Sequence, residues 1–267
     1  MVIIAVSDQH LGYNLSDKEK SDKDSFNAFL DSKMWDDPEI TDLVLLGDVV
    51  DMWRRDASGV FLENRDTFDK IASLPKRVTV HYVAGNHDFH VLQLKDHSYP
   101  FNFVNTLRLS EGNLHYNFVH GYQFDKLQQK RLMEALCRRM SDTAGNFESG
   151  VWATLTRDWS DLEYFLSLFF KKASIRKSVE KLQLKPEERL IGTREEVENL
   201  ARTSTPPGEV LVFGHTHNPF INESATVVNT GCWVTDAPIY NTYARLDASG
   251  PRIFIFEGRE ITERVKD

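Results

Sequence analysis

Residues 43–51 read Leu-Val-Leu-Leu-Gly-Asp-Val-Val-Asp. A short apolar run stopped by a glycine has the length and the boundary of a buried strand. The carboxylate of Asp48 follows at once. The same arrangement recurs along the chain. Val2–Val6 leads into Asp8-x-His10, and Val78–Ala84 into Gly85-Asn86-His87-Asp88. Leu114–Val119 leads into His120-Gly121, and Val210–Phe213 into Gly214-His215-Thr216-His217. Side chains at the ends of several strands converge on one rim of a sheet, where α/β proteins place their sites.

Working outward, the first half alternates strands with helices. Ser21-x-x-Asp24 resembles a capping box, and Phe26, Phe29, Leu30 and Met34 follow at helical spacing until Asp36-Asp37-Pro38. Residues 60–74 read as one helix with Phe61, Leu62, Phe68 and Ile71 inward, stopped by Pro75. The order β-α-β-α-β implies parallel strands with crossover helices. Strand-like alternation returns at residues 107–109, 114–119, 210–213, 226–229, 242–246 and 252–256, separated by Gly-bearing turns. This half reads as a second, more antiparallel sheet. Residues 122–207 read as a helical insertion. Leu127, Leu132, Leu136 and Met140 mark one helix, Trp152 to Phe169 a second, and Thr193-x-x-Glu196 caps a third. The expectation is a single domain over residues 1–267 carrying that insertion.

The chain has 267 residues, 41% hydrophobic and 27% charged, which suits a globular protein with a large core. A formal net charge of −8 argues against general nucleic-acid binding. Residues 122–207 are slightly basic and the remainder is acidic. Two distant cysteines, Cys137 and Cys232, exclude a disulfide framework and favour a reducing compartment. The start of the chain lacks a basic segment before its apolar run, and no apolar run is long enough to span a bilayer, so a cytoplasmic location is the expectation.

Asp8, His10, Asp48, Asn86, His120, His215 and His217 form a set of hard oxygens and imidazoles. Such a set suits two divalent metals, and it includes a carboxylate able to bridge them. Alternate residues of a strand point to opposite faces. The pairs Asp8-x-His10 and His215-x-His217 can still aim at one site, because each sits at a strand end where the backbone turns.

These five patterns, in this order, resemble the calcineurin-like metallophosphoesterase superfamily over residues 1–121 and 208–257. The family fold is a four-layer α/β/β/α sandwich of two mixed sheets, in agreement with the two-sheet reading. The resemblance implies a dinuclear phosphoesterase that cleaves a phosphomonoester, phosphodiester or pyrophosphate by metal-hydroxide attack. Asp8, His10 and His217 would hold one metal, Asn86, His120 and His215 the other, and Asp48 would bridge them. His87 would sit over the phosphate and Asp51 would orient it. Manganese is the expected ion, although Fe, Zn, Co or Ni also suit these donors. Met52-Trp53 after Asp51 departs from the protein phosphatase branch, which carries Arg-Gly there. Asp51-Met52-Trp53, Phe89 and the insertion look more like the UDP-2,3-diacylglucosamine pyrophosphatase branch. His87 and Tyr122 depart from that branch, which carries Arg and Asp. A nuclease branch shares the core ligands but calls for a basic surface. The expected partner is a small-molecule or nucleotide-conjugate phosphoester.

Simpler readings stand beside these. Asp8 and Asp48 could be helix N-caps. His81 and His115 alternate within strands and read as structural. His90 and Trp53 are candidates for a substrate pocket, with core packing as the alternative for Trp53. The aromatic face of residues 152–170 is buried helix or a lid over an apolar tail. Lys171, Lys172, Arg176 and Lys177 are a solvated helix end, or a clamp for a phosphate-rich group through Lys172 and Arg176. A non-catalytic scaffold that retains the fold would be expected to lose some of these ligands.

Overall fold

A computed structural model describes residues 1–15, 18–53, 55–96, 100–125 and 193–267. Val2–Val6 (β1), Ile40–Leu46 (β4) and Thr79–Val83 (β5) are parallel neighbours, extended by Phe101–Val104 (β6). A short hairpin, Asn14–Leu15 (β2) with Lys18–Glu19 (β3), follows β1. The crossovers are Lys23–Asp36 (α1), and Ala57–Glu63 (α2) with Arg65–Ala72 (α3).

The second half supplies Leu107–Glu111 (β7), Leu114–Phe118 (β8), Arg194–Ser204 (α4), Glu209–Phe213 (β9), Phe220–Asn222 (β10) and Val227–Asn229 (β11). It ends with Thr242–Asp247 (β12), Gly250–Ile255 (β13), Glu260–Ile261 (β14) and Arg264–Val265 (β15). One sheet has the order β14-β13-β12-β1-β4-β5-β6 and the other β15-β10-β11-β9-β8-β7.

The layers follow from strand alternation. Val2, Ile4 and Val6 of β1 join Leu43 and Leu45 under the helices, packed on Phe26, Phe29, Leu30, Met34, Val60 and Ile71. The opposite face, Ile3, Ala5, Val44, Leu46 and Val83, packs on Tyr116, Phe118, Val210, Val212 and Val228 of the second sheet. The outer face of that sheet, Leu211, Phe213, Phe220 and Val227, is covered by Ala201 of α4. Helices, sheet, sheet and helix make the α/β/β/α sandwich of two mixed sheets.

Several local expectations are corrected. Helix α1 is capped by Asp22, whose Oδ1 accepts from the Ser25 amide at 3.2 Å, so the start lies one residue after Ser21. Residues 60–74 are two helices. Asn64 (φ −112°, ψ 20°) ends α2 and begins α3, and its side-chain amide donates to the Val60 carbonyl at 2.8 Å. That break turns Leu62 outward, where it is 75% exposed. The hairpin β12–β13 belongs to the first sheet, antiparallel to β1 through Ala5 and Ala244. The second sheet is not mainly antiparallel, since β8–β9, β9–β11 and β10–β15 are parallel pairs. The capping box of Thr193 and Glu196 is present at α4. The two helices read from residues 127–169, the basic cluster with Lys172 and Arg176, and Cys137 lie outside the described residues.

Candidate metal centre

Each motif follows the C-terminal end of a strand, and in three of the five a ligand candidate there enters the left-handed region. Asp8 (φ 56°), His10 (φ 48°), Asp48 (φ 52°), His215 (φ 65°) and His217 (φ 53°) all have positive φ. Such values are costly for residues with a Cβ, and they persist where surrounding structure imposes them. The turn lets Asp8 and His10, two positions apart, face the same point. Gly47 (φ 82°) and Gly85 then keep the loops close. A Cβ at Gly47 would lie 2.5 Å from His120 Nδ1, and one at Gly85 would collide with the Asp48 carboxylate.

The structure brings the expected side chains together as three overlapping groups: Asp8 with His10 and His217, Asp48 with His120 and His215, and His10 with Asp48 and His87. His217 Nε2 lies 3.2 Å from Asp8 Oδ1 and 3.2 Å from His10 Nε2. His120 Nε2 lies 3.2 Å from Asp48 Oδ2. Its other nitrogen, Nδ1, is 2.8 Å from the Leu46 carbonyl, so Nδ1–H is the donor and Nε2 turns to the carboxylates. The remaining carboxylate oxygens are held by backbone amides. His215 N donates to Asp8 Oδ2 and His87 N to Asp48 Oδ1, both at 2.8 Å.

Asp8 Oδ1, Asn86 Oδ1 and His120 Nε2 are buried and make no hydrogen bond among the described residues; the nearest charge contacts of Asp8 Oδ1 and His120 Nε2 are those at 3.2 Å to His217 and Asp48 given above. Buried polar atoms are rarely left unsatisfied without a reason. Here the orphaned atoms are hard oxygens and an imidazole nitrogen, the donor set that divalent metals take. The residues present therefore fit such an ion.

The electrostatics agree with a site built for cations. Burial would raise the Asp8 carboxyl, yet the nearby His217, His120 and His10 hold it well below the usual range. Burial likewise opposes ionisation of Asp48, and His120 and His87 outweigh it, so its pKa also falls. Burial works against protonation of His10 and His120. The Asp51, Asp8 and Asp48 carboxylates overcome it, raising His10 to about 10 and His120, beside Asp48 and Asp8, to about 9. His87 moves the other way, because burial outweighs Asp51 and Asp48 and lowers its pKa.

Asp51 is fully buried between two imidazoles. Its Oδ1 is 3.0 Å from His87 Nδ1 and its Oδ2 is 3.3 Å from His10 Nδ1. Trp53 is buried and stacks on the His87 ring, with centroids 4.0 Å apart at 21°. His90 is not in this cluster. It lines a cavity of about 520 Å³ with Phe89, Leu92, Lys95, Phe103 and Asn105. His81 pairs with Asp42 at 2.8 Å and His115 with Ser110 at 2.8 Å, both away from the site.

Three carboxylates around the site escaped the sequence reading. Asp88 accepts from the amides of Val49 and Gly85 and from the Tyr82 hydroxyl, at 2.7–2.8 Å, and so ties the Asp48 and Asn86 loops together. Burial, and then Asp48, push its pKa up to about 6. Asp125 Oδ2 lies 2.9 Å from His215 Nε2. Glu198 of α4 accepts from Thr216 at 2.9 Å and Asn218 at 3.1 Å, anchoring the loop of His215 and His217. The last two contacts span 90 and about 20 positions, and only Asp88 carried a signal, as the last residue of Gly-Asn-His-Asp.

No helix among the described residues is long and apolar enough to cross a membrane. Comparison with curated protein sequences gave no match. Solved structures gave several. The chain is similar to Yfce, a phosphoesterase from E. coli, at 15% identity over 98% of this chain and 97% of that one, with a TM-score of 0.48. It is similar to a dimetal phosphatase from Danio rerio at 13% identity over 97% and 96%, with a TM-score of 0.48. It is also similar to Vps29 from Entamoeba histolytica, complexed with zinc, at 14% identity over 95% and 90%, with a TM-score of 0.41. The family model for calcineurin-like phosphoesterases matches residues 1–219. With that match over most of its length, the chain belongs to the calcineurin-like phosphoesterase family.

Proposed function

We propose that this protein is a dinuclear metal-dependent phosphoesterase, with Asp8, His10 and His217 at one ion, Asn86, His120 and His215 at the other, and Asp48 between them. The observation that carries this reading is that Asp8 Oδ1, Asn86 Oδ1 and His120 Nε2 are buried beside Asp48 and make no hydrogen bond among the described residues. Two such ions, when bound, supply a nucleophile from water at neutral pH and neutralise the phosphoryl oxygens. Manganese is the ion proposed, and the substrate a small-molecule or nucleotide-conjugate phosphomonoester, phosphodiester or pyrophosphate.

The chain's own residues do the rest. Asp51 accepts a hydrogen bond from the Nδ1–H of His87, which leaves Nε2 as the nitrogen that exchanges a proton with the leaving oxygen. Burial lowers the His87 pKa, so the ring is readily neutral alone. An anionic phosphoryl group beside it favours the protonated form, and substrate binding thereby arms the acid. Trp53, stacked on the ring, limits its rotation and excludes water from that face.

The test is hydrolysis of p-nitrophenyl phosphate and bis-p-nitrophenyl phosphate by metal-free protein reconstituted with Mn²⁺, beside an Asp48→Asn control. Metal-dependent turnover lost in the control is the expected result, and the preferred ester separates monoesterase from diesterase. Equal turnover by the control would overturn the reading.

A further inference from the structure

We infer that Asp125 is a positioning residue for the second metal, selecting Nδ1 of His215 as the nitrogen that binds the cation. The inference rests on the dinuclear reading above and adds a residue to it. Asp125 is 1% exposed, and its Oδ2 meets His215 Nε2 at 2.9 Å. A carboxylate accepts only from an N–H, so Nε2 carries the proton. A His215 nitrogen lies within 4.8 Å of the ligand atoms of Asp48 and His120, and with Nε2 committed to Asp125, Nδ1 is the one left to serve a cation there.

His120 is arranged the opposite way. Its Nδ1–H goes to the Leu46 carbonyl and Nε2 faces Asp48. The two imidazoles of one metal site thus use different nitrogens, each fixed by a different acceptor. A carboxylate behind a ligating imidazole also raises its basicity, which a carbonyl does less strongly.

The local fold delivers Asp125 to this spot. Gly121 has φ 130°, and a Cβ there would lie 2.8 Å from His215 Cβ, so only glycine lets the two loops approach. A single 3-10 turn, Tyr122–Phe124, then follows, with Phe124 N bonded to Gly121 O at 3.0 Å and Asp125 N to Tyr122 O at 3.0 Å. That turn sets Asp125 against His215.

The experiment compares wild type, Asp125→Asn and Asp125→Leu, purified metal-free and titrated with Mn²⁺ while free ion is read by electron paramagnetic resonance. Asp125→Leu is expected to weaken one of two equivalents about 10- to 100-fold and leave the other unchanged. Asp125→Asn, which keeps an acceptor oxygen, falls between. Long-range ¹H–¹⁵N spectra of metal-free wild type, recorded where the ring is neutral, should show the His215 proton on Nε2. A proton on Nδ1 would overturn the inference, as would unchanged affinity for both equivalents. Equal weakening of both, with a lowered Tm, would also overturn it by marking Asp125 as merely structural. Should Asp125→Leu not fold, Asp125→Asn and the spectra decide. Failure of wild type to take up Mn²⁺ would instead sink the dinuclear reading, and the spectra would still judge Asp125.

Discussion

Replacing Asp51 with Asn exchanges one carboxylate oxygen for an NH₂ at a point where two imidazoles meet. The carboxylate accepts from His87 at 3.0 Å and from His10 at 3.3 Å. An amide has one acceptor oxygen, and its NH₂ can only donate. One ring must therefore give up its present tautomer or its position. If the oxygen stays with His87, His10 has to move its proton to Nε2. That nitrogen lies 3.7 Å from both Asp8 and Asp48 and is the one turned to the site. If the oxygen stays with His10, His87 loses its fixed Nδ1–H and with it the assignment of Nε2 as the acid.

A buried hydrogen bond to a charged group is worth about 1.5–3 kcal/mol. At about 1.4 kcal/mol per tenfold, its loss lowers kcat/KM roughly 10- to 100-fold. The assay is bis-p-nitrophenyl phosphate hydrolysis against Mn²⁺ concentration. The His10 branch lowers metal affinity, and excess Mn²⁺ restores the rate. The His87 branch lowers kcat at full metal occupancy and moves the pH profile. A variant within twofold of wild type, with both equivalents bound at wild-type affinity, would refute the reasoning.

Other outcomes are independent of activity. Phe29 is fully buried against Trp233 (5.3 Å) and Tyr243 (5.1 Å), so Phe29→Ala should cost about 3–5 kcal/mol in urea unfolding; a change under 1 kcal/mol would show the site collapses freely. Thr193→Ala removes half of a capping box at α4 and should cost about 0.5–2 kcal/mol by the same measurement. Burial opposes ionisation of Asp37 and Asp247, but Arg245 outweighs it at Asp37, and the Ser249 amide, then Arg252 and Arg245, outweigh it at Asp247, so both carboxyls lie below their ordinary range. Depressed folded values mean the stabilisation is present above about pH 4 and is lost as pH falls through them. Melting temperature should therefore drop more steeply below pH 4 in wild type than in Arg245→Met, and parallel curves would contradict the assignment.

The parallel half of the fold was legible because its strands are apolar on both faces. Val2–Val6 and Leu43–Leu46 are buried against helices on one side and a sheet on the other, so no polar alternation obscured them. The pairing of β12 was not legible. Thr242–Asp247 has the same alternating character as β7 and β8, and nothing in its residues says which sheet edge it meets. That choice is made by Tyr243 packing beside Phe29 while Ala244 and Leu246 enter the layer between the sheets. The break at Asn64 was hidden for a related reason. Asn can sit within a helix, and here its side-chain amide joins its backbone N–H on the Val60 carbonyl to make it a cap.

At the site the division is sharper. Residues of the inner cluster are readable because each lies two to four positions beyond the end of its strand, where a local turn suffices to aim it. The supports are not. Asp125, three residues beyond the last residue of His120-Gly121-Tyr122, is an ordinary loop acid until His215 arrives from 90 positions away. Glu198 sits on what would be a polar helix face until Thr216 and Asn218 bury it. A ligand's position is set by its own strand, whereas a support's role is set by two strands meeting. On the proposed reading, sequence alone reaches the donor atoms and stops at supports such as Asp125, which would choose the nitrogen His215 offers, and Glu198, which anchors the loop that carries it. Members of this family that share the same donors should then differ measurably in metal affinity through such supports.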